Sequence, residues 1–204
     1  MMSELSPPAP SRRRRRADAE RSSAAILDAA CRVWSVRPDA SIEDIAAAAD
    51  VTRQTVYAHY ASRELLLGAV VERARADAAA AIDAALAAAS PAAALVRLLR
   101  SSWQILARYP FLLDSAMTPM SAQEAQEQHE PRLAWLIRRG QDTGDFDRSL
   151  SPTWLLAVLV GLHQAARAEV DAGRMTAEDA ATALEHSILR VFGVAGAPAA
   201  DADH

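Results

Sequence analysis

Lysine is absent from this 204-residue chain, cysteine occurs once, and aromatic residues make up only 5% of it. The lone Cys31 rules out an internal disulfide, which fits a reducing cytoplasm better than an intermolecular redox role. Recurrent Ile/Val/Thr alternation and Asn-Gly hairpin turns are also missing, so an all-β or mixed fold is not expected. No apolar run approaches the roughly 20 residues that a bilayer demands. The longest, WLLAVLVGL at 154–162, reads as a buried helix. The RRRRR run at 12–16 is followed by polar ADAERSSAAILDAA, not by the apolar core of a secretory signal. These absences point to a cytoplasmic protein with no membrane partner.

What remains is rich in Ala and Leu, with 51% hydrophobic residues, enough for a core without covalent staples. The composition predicts an all-α chain. Its net charge of −4 is uneven. Residues 1–75 hold 12 arginines against 10 acids, and residues 76–204 hold 10 against 16. A polyanion partner therefore suits the N-terminal part and not the rest. That every basic residue is arginine suits phosphate and guanine contacts, but a chain-wide compositional bias explains it more simply.

Residues 1–19 are expected as a disordered basic arm, because their Pro, Ser and Arg content leaves little to bury. From Glu20 a helical pattern begins, with Ile26, Ala30, Val33 and Trp34 on one face, and Pro38 closes it. Ser41 is the predicted N-cap of a short helix bearing Ile42, Ile45 and Ala46, with Asp44 as capping partner. Thr52 is the predicted N-cap of a third, very short helix, and Ser62 of a longer one running past Arg75 into an Ala-rich tract. Farther on, Ser90-Pro91 and Ser151-Pro152 open helices, and another spans roughly 132–141 before the glycines of GQDTGDF. Gly173 ends the apolar helix 152–171. Thr176 with Asp179 caps the last helix, and residues 194–204 look like a frayed tail.

Two short helices joined by a tight turn, with small residues on the first and polar residues opening the second, describe a helix-turn-helix. Here it is SIEDIAAAAD-V-TRQTVYAHY, in which Ala46 and Ala47 allow close approach and Ile45, Val51 and Val56 form a small core. The N-terminal residues of the second helix of this motif meet base edges in the major groove, which makes Arg53, Gln54 and Thr55 the candidate readers. Arginine takes guanine bidentately, glutamine takes adenine, and threonine meets a thymine methyl or a phosphate. A merely solvated helix face is the simpler explanation of an isolated TRQT. The turn, the spacing and the downstream Y-x-H-Y outweigh it.

The stretch SIEDIAAAADVTRQTVYAHYASRELL, with ILDAA at 26–30, resembles the signature of TetR-family transcriptional regulators. The resemblance runs from about Ala25 through Val70. It implies an N-terminal three-helix helix-turn-helix domain at 20–66 and a larger helical ligand-binding and dimerisation domain at 67–193. It also implies a repressor released from a palindromic double-stranded DNA operator by a small-molecule effector, with no cofactor, and a homodimer formed through helices near 152–171 and 176–192. Thr52, Tyr57, His59, Ser62 and Arg63 are similar to the family's phosphate contacts, and Tyr60 to its core aromatic. Asp50 departs from the glycine usual at the turn. It tolerates positive φ better than most residues, so the turn should survive.

Arg12–Arg16 would add salt-sensitive DNA affinity, a role set slightly ahead of simple solubilisation. Trp103, Phe111, Met117, Trp135 and His163 are the candidate pocket residues, although each one singly is more simply core. His129 and His163 lack metal-ligand partners at suitable spacing, and no nucleophile elbow or phosphate loop occurs, so neither metal binding nor catalysis is expected. The alternative from another class is a helical small-molecule carrier or enzyme with a non-functional helix-turn-helix.

Overall fold

A computed structural model describes residues 12–110 and 122–194 of the chain. Among the described residues there are eight helices and no strand: α1 Arg12–Val36, α2 Ile42–Ala48, α3 Arg53–His59, α4 Arg63–Leu86, α5 Pro91–Arg108, α6 Ala122–Thr143, α7 Pro152–Asp171 and α8 Ala177–Val191. The chain divides into two compact units, residues 1–73 and 74–204, with the division falling inside α4. The observed boundary lies a little beyond the expected one at residue 66, because Leu66, Leu67, Val70 and Val71 of α4 are all buried.

In the N-terminal unit the apolar spacing of α1 does what its period predicts: Ile26, Ala30 and Trp34 are buried along one face, with Val33 half-buried beside them. The helix begins at Arg12, well inside the segment expected as a disordered arm. Arginine and alanine are good helix formers, and no Gly or Pro interrupts residues 12–36, so nothing local stops propagation toward the N-terminus. α2 packs on α1 and on α3. Its start is a full capping box, in which the Ser41 hydroxyl accepts from the Asp44 N–H and the Asp44 carboxylate accepts from the Ser41 N–H at 2.9 Å. These hydrogen bonds from the Ser41 hydroxyl and backbone, and then from Arg37, hold the Asp44 carboxyl at about 2, below its ordinary 3.8. A carboxylate depressed in the folded state stabilises fully above its ordinary value and loses that contribution as pH falls through its folded one. The thermal-stability gap between wild type and Asp44→Asn is therefore expected to persist above about pH 4 and to close toward pH 2.

The C-terminal unit is built around Leu95 and Leu99 of α5, Ile137 of α6, Leu155, Leu156 and Leu159 of α7, and Leu184 and Ile188 of α8. Phe146 and Phe192 complete this core edge-to-face, with ring centroids 5.2 Å apart. A smaller cluster joins Ile82 and Ala85 of α4 to Ala94, Leu98 and Leu136. α6 is longer than the expected 132–141 and passes through Pro131, because AQEAQEQHE ahead of it is composed mainly of good helix formers. Gly140 belongs to the helix and not to the following loop. Gly144, at φ 82°, is the residue that turns the chain, and the Phe146 N–H returns to the Gly140 carbonyl at 3.0 Å. A Cβ on Gly140 would fall inside the Phe146 ring. Gly140→Ala should therefore cost about 1–3 kcal/mol through overpacking, read as a lower midpoint in thermal unfolding.

Candidate functional site

The turn between α2 and α3 holds because Asp50 adopts φ 54°, the left-handed conformation that its short polar side chain tolerates. Ala46 is buried at the crossing, whereas Ala47, expected to share that role, faces solvent. Ile45 and Val56 are fully buried, which fixes one face of α3 inward and turns the opposite one out. Thr52 caps α3, its Oγ1 accepting from the Thr55 N–H at 3.1 Å.

The predicted readers do not stand alike. Arg53 and Gln54 are exposed on the first turn. Thr55 is half-buried, and its hydroxyl lies 2.8 Å from that of Thr52, inside the cap. The Arg53 guanidinium is already placed: it sits 5.2 Å above the Tyr57 ring, donates to the Tyr57 hydroxyl at 3.4 Å, and pairs with the Glu43 carboxylate at 2.5 Å. Tyr57 and then Glu43 raise its proton affinity further. Sequence reasoning misses Glu43, since nothing in a local pattern links the first turn of α2 to the first turn of α3.

Of the predicted phosphate contacts, Thr52 and Tyr57 are exposed and flank Arg53. His59 is exposed at the last turn of α3, its ring 6.3 Å from that of Tyr60. Tyr60 is half-buried instead of fully in the core, because its hydroxyl meets the Ser23 hydroxyl of α1 at 2.7 Å. Ser62 is the N-cap expected of it, accepting from the Leu65 N–H at 3.2 Å. Arg63 stands elsewhere. It donates to the Pro38 carbonyl at 2.6 Å and stacks 5.1 Å from the Trp34 ring, so it ties α4 to the end of α1. Aromatic stacking and a carbonyl acceptor suit guanidinium as well as phosphate does, which is why sequence spacing does not separate the two uses.

The C-terminal unit contains a cavity of about 540 Å³ lined from α4, α5, α6 and α7. Its wall is apolar through residues such as Ile82, Leu98, Ile105, Leu133 and Val160. Polar groups enter at Ser102, His129, His163, Gln164, Arg167 and Asp171. Burial pushes the imidazoles of His129 and His163 toward the neutral form, with Arg132 adding to the effect on His129. Arg167 and Asp171 pair with each other at 2.8 Å. Among the five predicted pocket residues, His163 lines this cavity. Trp103 packs on the main core and lines a separate cleft of about 390 Å³ between α5 and α8. Trp135 is 46% exposed beneath Arg139, 5.2 Å from its ring. Phe111 and Met117 lie outside the described residues. Bulk and aromaticity single out Trp103 and Trp135, but a helix can turn such a residue to solvent or to the core. Among the described residues no group of three or more His, Cys, Asp or Glu side chains is arranged to hold a metal, and no helix is long and apolar enough to cross a membrane.

Residues 26–70 match the family model of bacterial regulatory proteins, tetR family. The chain is also similar to the solved TetR-like transcriptional regulator LfrR from Mycobacterium smegmatis in complex with proflavine, at 28% identity and a TM-score of 0.60, over 84% of this chain and 96% of that one. The TetR-family regulator PfmR from Thermus thermophilus is 25% identical with a TM-score of 0.63, over 81% and 97%. A TetR-like regulator from a Rhodococcus species is 25% identical with a TM-score of 0.58, over 83% and 93%. No curated protein matches the sequence.

Proposed function

We propose that this protein, whose residues 26–70 are a TetR-family helix-turn-helix domain and whose fold is that of TetR-family transcriptional regulators, is a dimeric repressor. It binds a palindromic operator and leaves it when a small molecule occupies the C-terminal cavity. The observation that carries this reading is the outward first turn of α3, where Arg53 and Gln54 are exposed on a helix whose other face is pinned by Val56. Arg53 and Gln54 read bases, with Thr55 beside them. Thr52, Tyr57 and His59 hold phosphates, and Ser62 offers the start of α4 to the backbone. Arg63 acts through the scaffold.

The apolar cavity supports the ligand half of the proposal, and LfrR in complex with proflavine supports it by likeness. Release requires that the ligand bind the DNA-incompetent arrangement more tightly; equal affinity for both shifts nothing. The two copies of α3 enter successive major grooves, which sets half-sites about one helical turn apart.

Dimerisation through α7 and α8 is supported by the outer face of α7, where Trp154 is 58% exposed and Ala157, Gly161, Ala165 and Ala168 leave a shallow surface. A side chain added at Gly161 meets no atom within 4 Å in the single chain. Gly161→Leu should therefore preserve helix content and melting of the protomer while shifting sedimentation from dimer to monomer. An unchanged dimer would place the interface elsewhere. In-vitro transcription from a promoter carrying the operator tests the regulatory sign. The proposal expects fewer transcripts with protein and recovery with ligand; more transcripts with protein would make it an activator.

A further inference from the structure

The cavity of the C-terminal unit has one corner where hydrogen-bond donors are short. The His163 Nδ1 lies 2.8 Å from the Leu159 carbonyl oxygen, one turn earlier on α7. Two acceptors do not bond to each other, so Nδ1 carries the proton, and in the neutral ring Nε2 is then an acceptor. Among the described residues, the group that meets Nε2 is the Ser102 hydroxyl, 2.8 Å away on α5. That hydroxyl also lies 2.9 Å from the Leu99 carbonyl oxygen. Ser102 owns one proton, and two acceptors compete for it. Whichever it serves, the corner lacks a donor, and an unmatched acceptor away from water is costly.

The charges of the wall exclude a different class of ligand. Arg167 gives its Nε to both Asp171 oxygens, at 2.8 and 2.9 Å, and its Nη1 to the Leu106 carbonyl at 3.4 Å. The cation and the anion among the described lining residues thus compensate each other, leaving no opposite charge for an ionic ligand. A full charge carried into such a wall would be desolvated without a partner.

We infer that this cavity takes an uncharged, mostly apolar molecule bearing a hydroxyl, and that the hydroxyl docks between Ser102 and His163. It donates to His163 Nε2 and offers its oxygen to the Ser102 proton. An ether of the same shape accepts from Ser102 but leaves Nε2 unmatched. The inference rests on the effector reading for its biological meaning, but binding itself is measured without DNA.

The test is calorimetric titration of the full chain at neutral pH with four probes of one shape: 4-phenylphenol, 4-methoxybiphenyl, biphenyl-4-carboxylate and 4-phenylbenzylammonium. The phenol should bind most tightly, roughly 10-fold or more ahead of the ether, since one unmatched buried acceptor distinguishes them. Both ions should fall behind the ether. His163→Phe should erase the phenol-over-ether preference while keeping ether binding, which also reports that the variant is folded. Ser102→Ala leaves Nε2 open and should keep the preference. Binding of none of the four, an ether equal to the phenol, an ion ahead of the phenol, or an undiminished preference in His163→Phe would overturn the inference. A bound phenol that leaves the operator complex intact would refute the effector role and uphold the assignment of the cavity.

Discussion

Trp34→Ala should abolish DNA binding by unfolding the N-terminal unit, while ligand binding in the C-terminal unit survives. Trp34 is fully buried, and three further features depend on its ring. Its indole N–H donates to the Ala40 carbonyl at 3.3 Å, which fixes the loop ahead of α2. Arg63 lies across its face and holds the Pro38 carbonyl of the same loop. Removing a buried tryptophan costs about 3–5 kcal/mol in transfer and cavity terms. A unit this small has little stability in reserve, because small domains bury a modest fraction of their surface. Trp34→Phe keeps most of the ring and loses the hydrogen bond, so it should sit between the two. Thermal unfolding followed by circular dichroism, alongside fluorescence anisotropy on an operator duplex, measures both effects. An alanine variant that melts and binds DNA like wild type would show that Trp34 does not organise the unit.

The second large effect belongs to Arg53. Arg53→Ala should lose about 1–3 kcal/mol of discrimination at one base pair in each half-site and leave preference elsewhere intact. The physical basis is that the guanidinium is preorganised: the Tyr57 ring and hydroxyl and the Glu43 carboxylate hold it on the exposed face of α3. Holding a long side chain in place before binding lowers the entropy lost on binding. Tyr57→Phe removes a hydroxyl aimed at the backbone, so it should weaken all duplexes alike. Binding-site profiles of the two variants, taken at one salt concentration, separate the roles. Uniform loss in both would remove Arg53 from the base readers.

Local chemistry makes the helix-turn-helix legible in the sequence. Ser41, Thr52, Ser90, Ser151 and Thr176 all cap the helices they are expected to cap, because a hydroxyl facing free N–H groups is a contact within three residues. Asp50 takes the positive φ that its place in the turn demands. Contacts distant in sequence stay hidden. Glu43 reaches Arg53, Arg63 reaches Pro38 across 25 residues, and Ser102 meets His163 across 61. No periodicity encodes such pairs, since they depend on how helices cross. The same reason separates Gly140, which reads as a loop residue, from its actual place under the Phe146 ring. Trp103 and Trp135 stand out for bulk, yet His163 alone among the described pocket candidates meets the cavity, through packing that its helix face only half specifies.

The measurement that bears most directly on the central claim is selection of binding sites from a random duplex pool at moderate salt, with protein refolded to strip any bound ligand and shown to be native and dimeric. The account predicts enrichment of an imperfect palindrome whose half-sites lie about one helical turn apart, and loss of one position per half-site in Arg53→Ala. A native dimer that enriches no sequence would contradict it, and would make the C-terminal cavity the working part of a carrier or an enzyme.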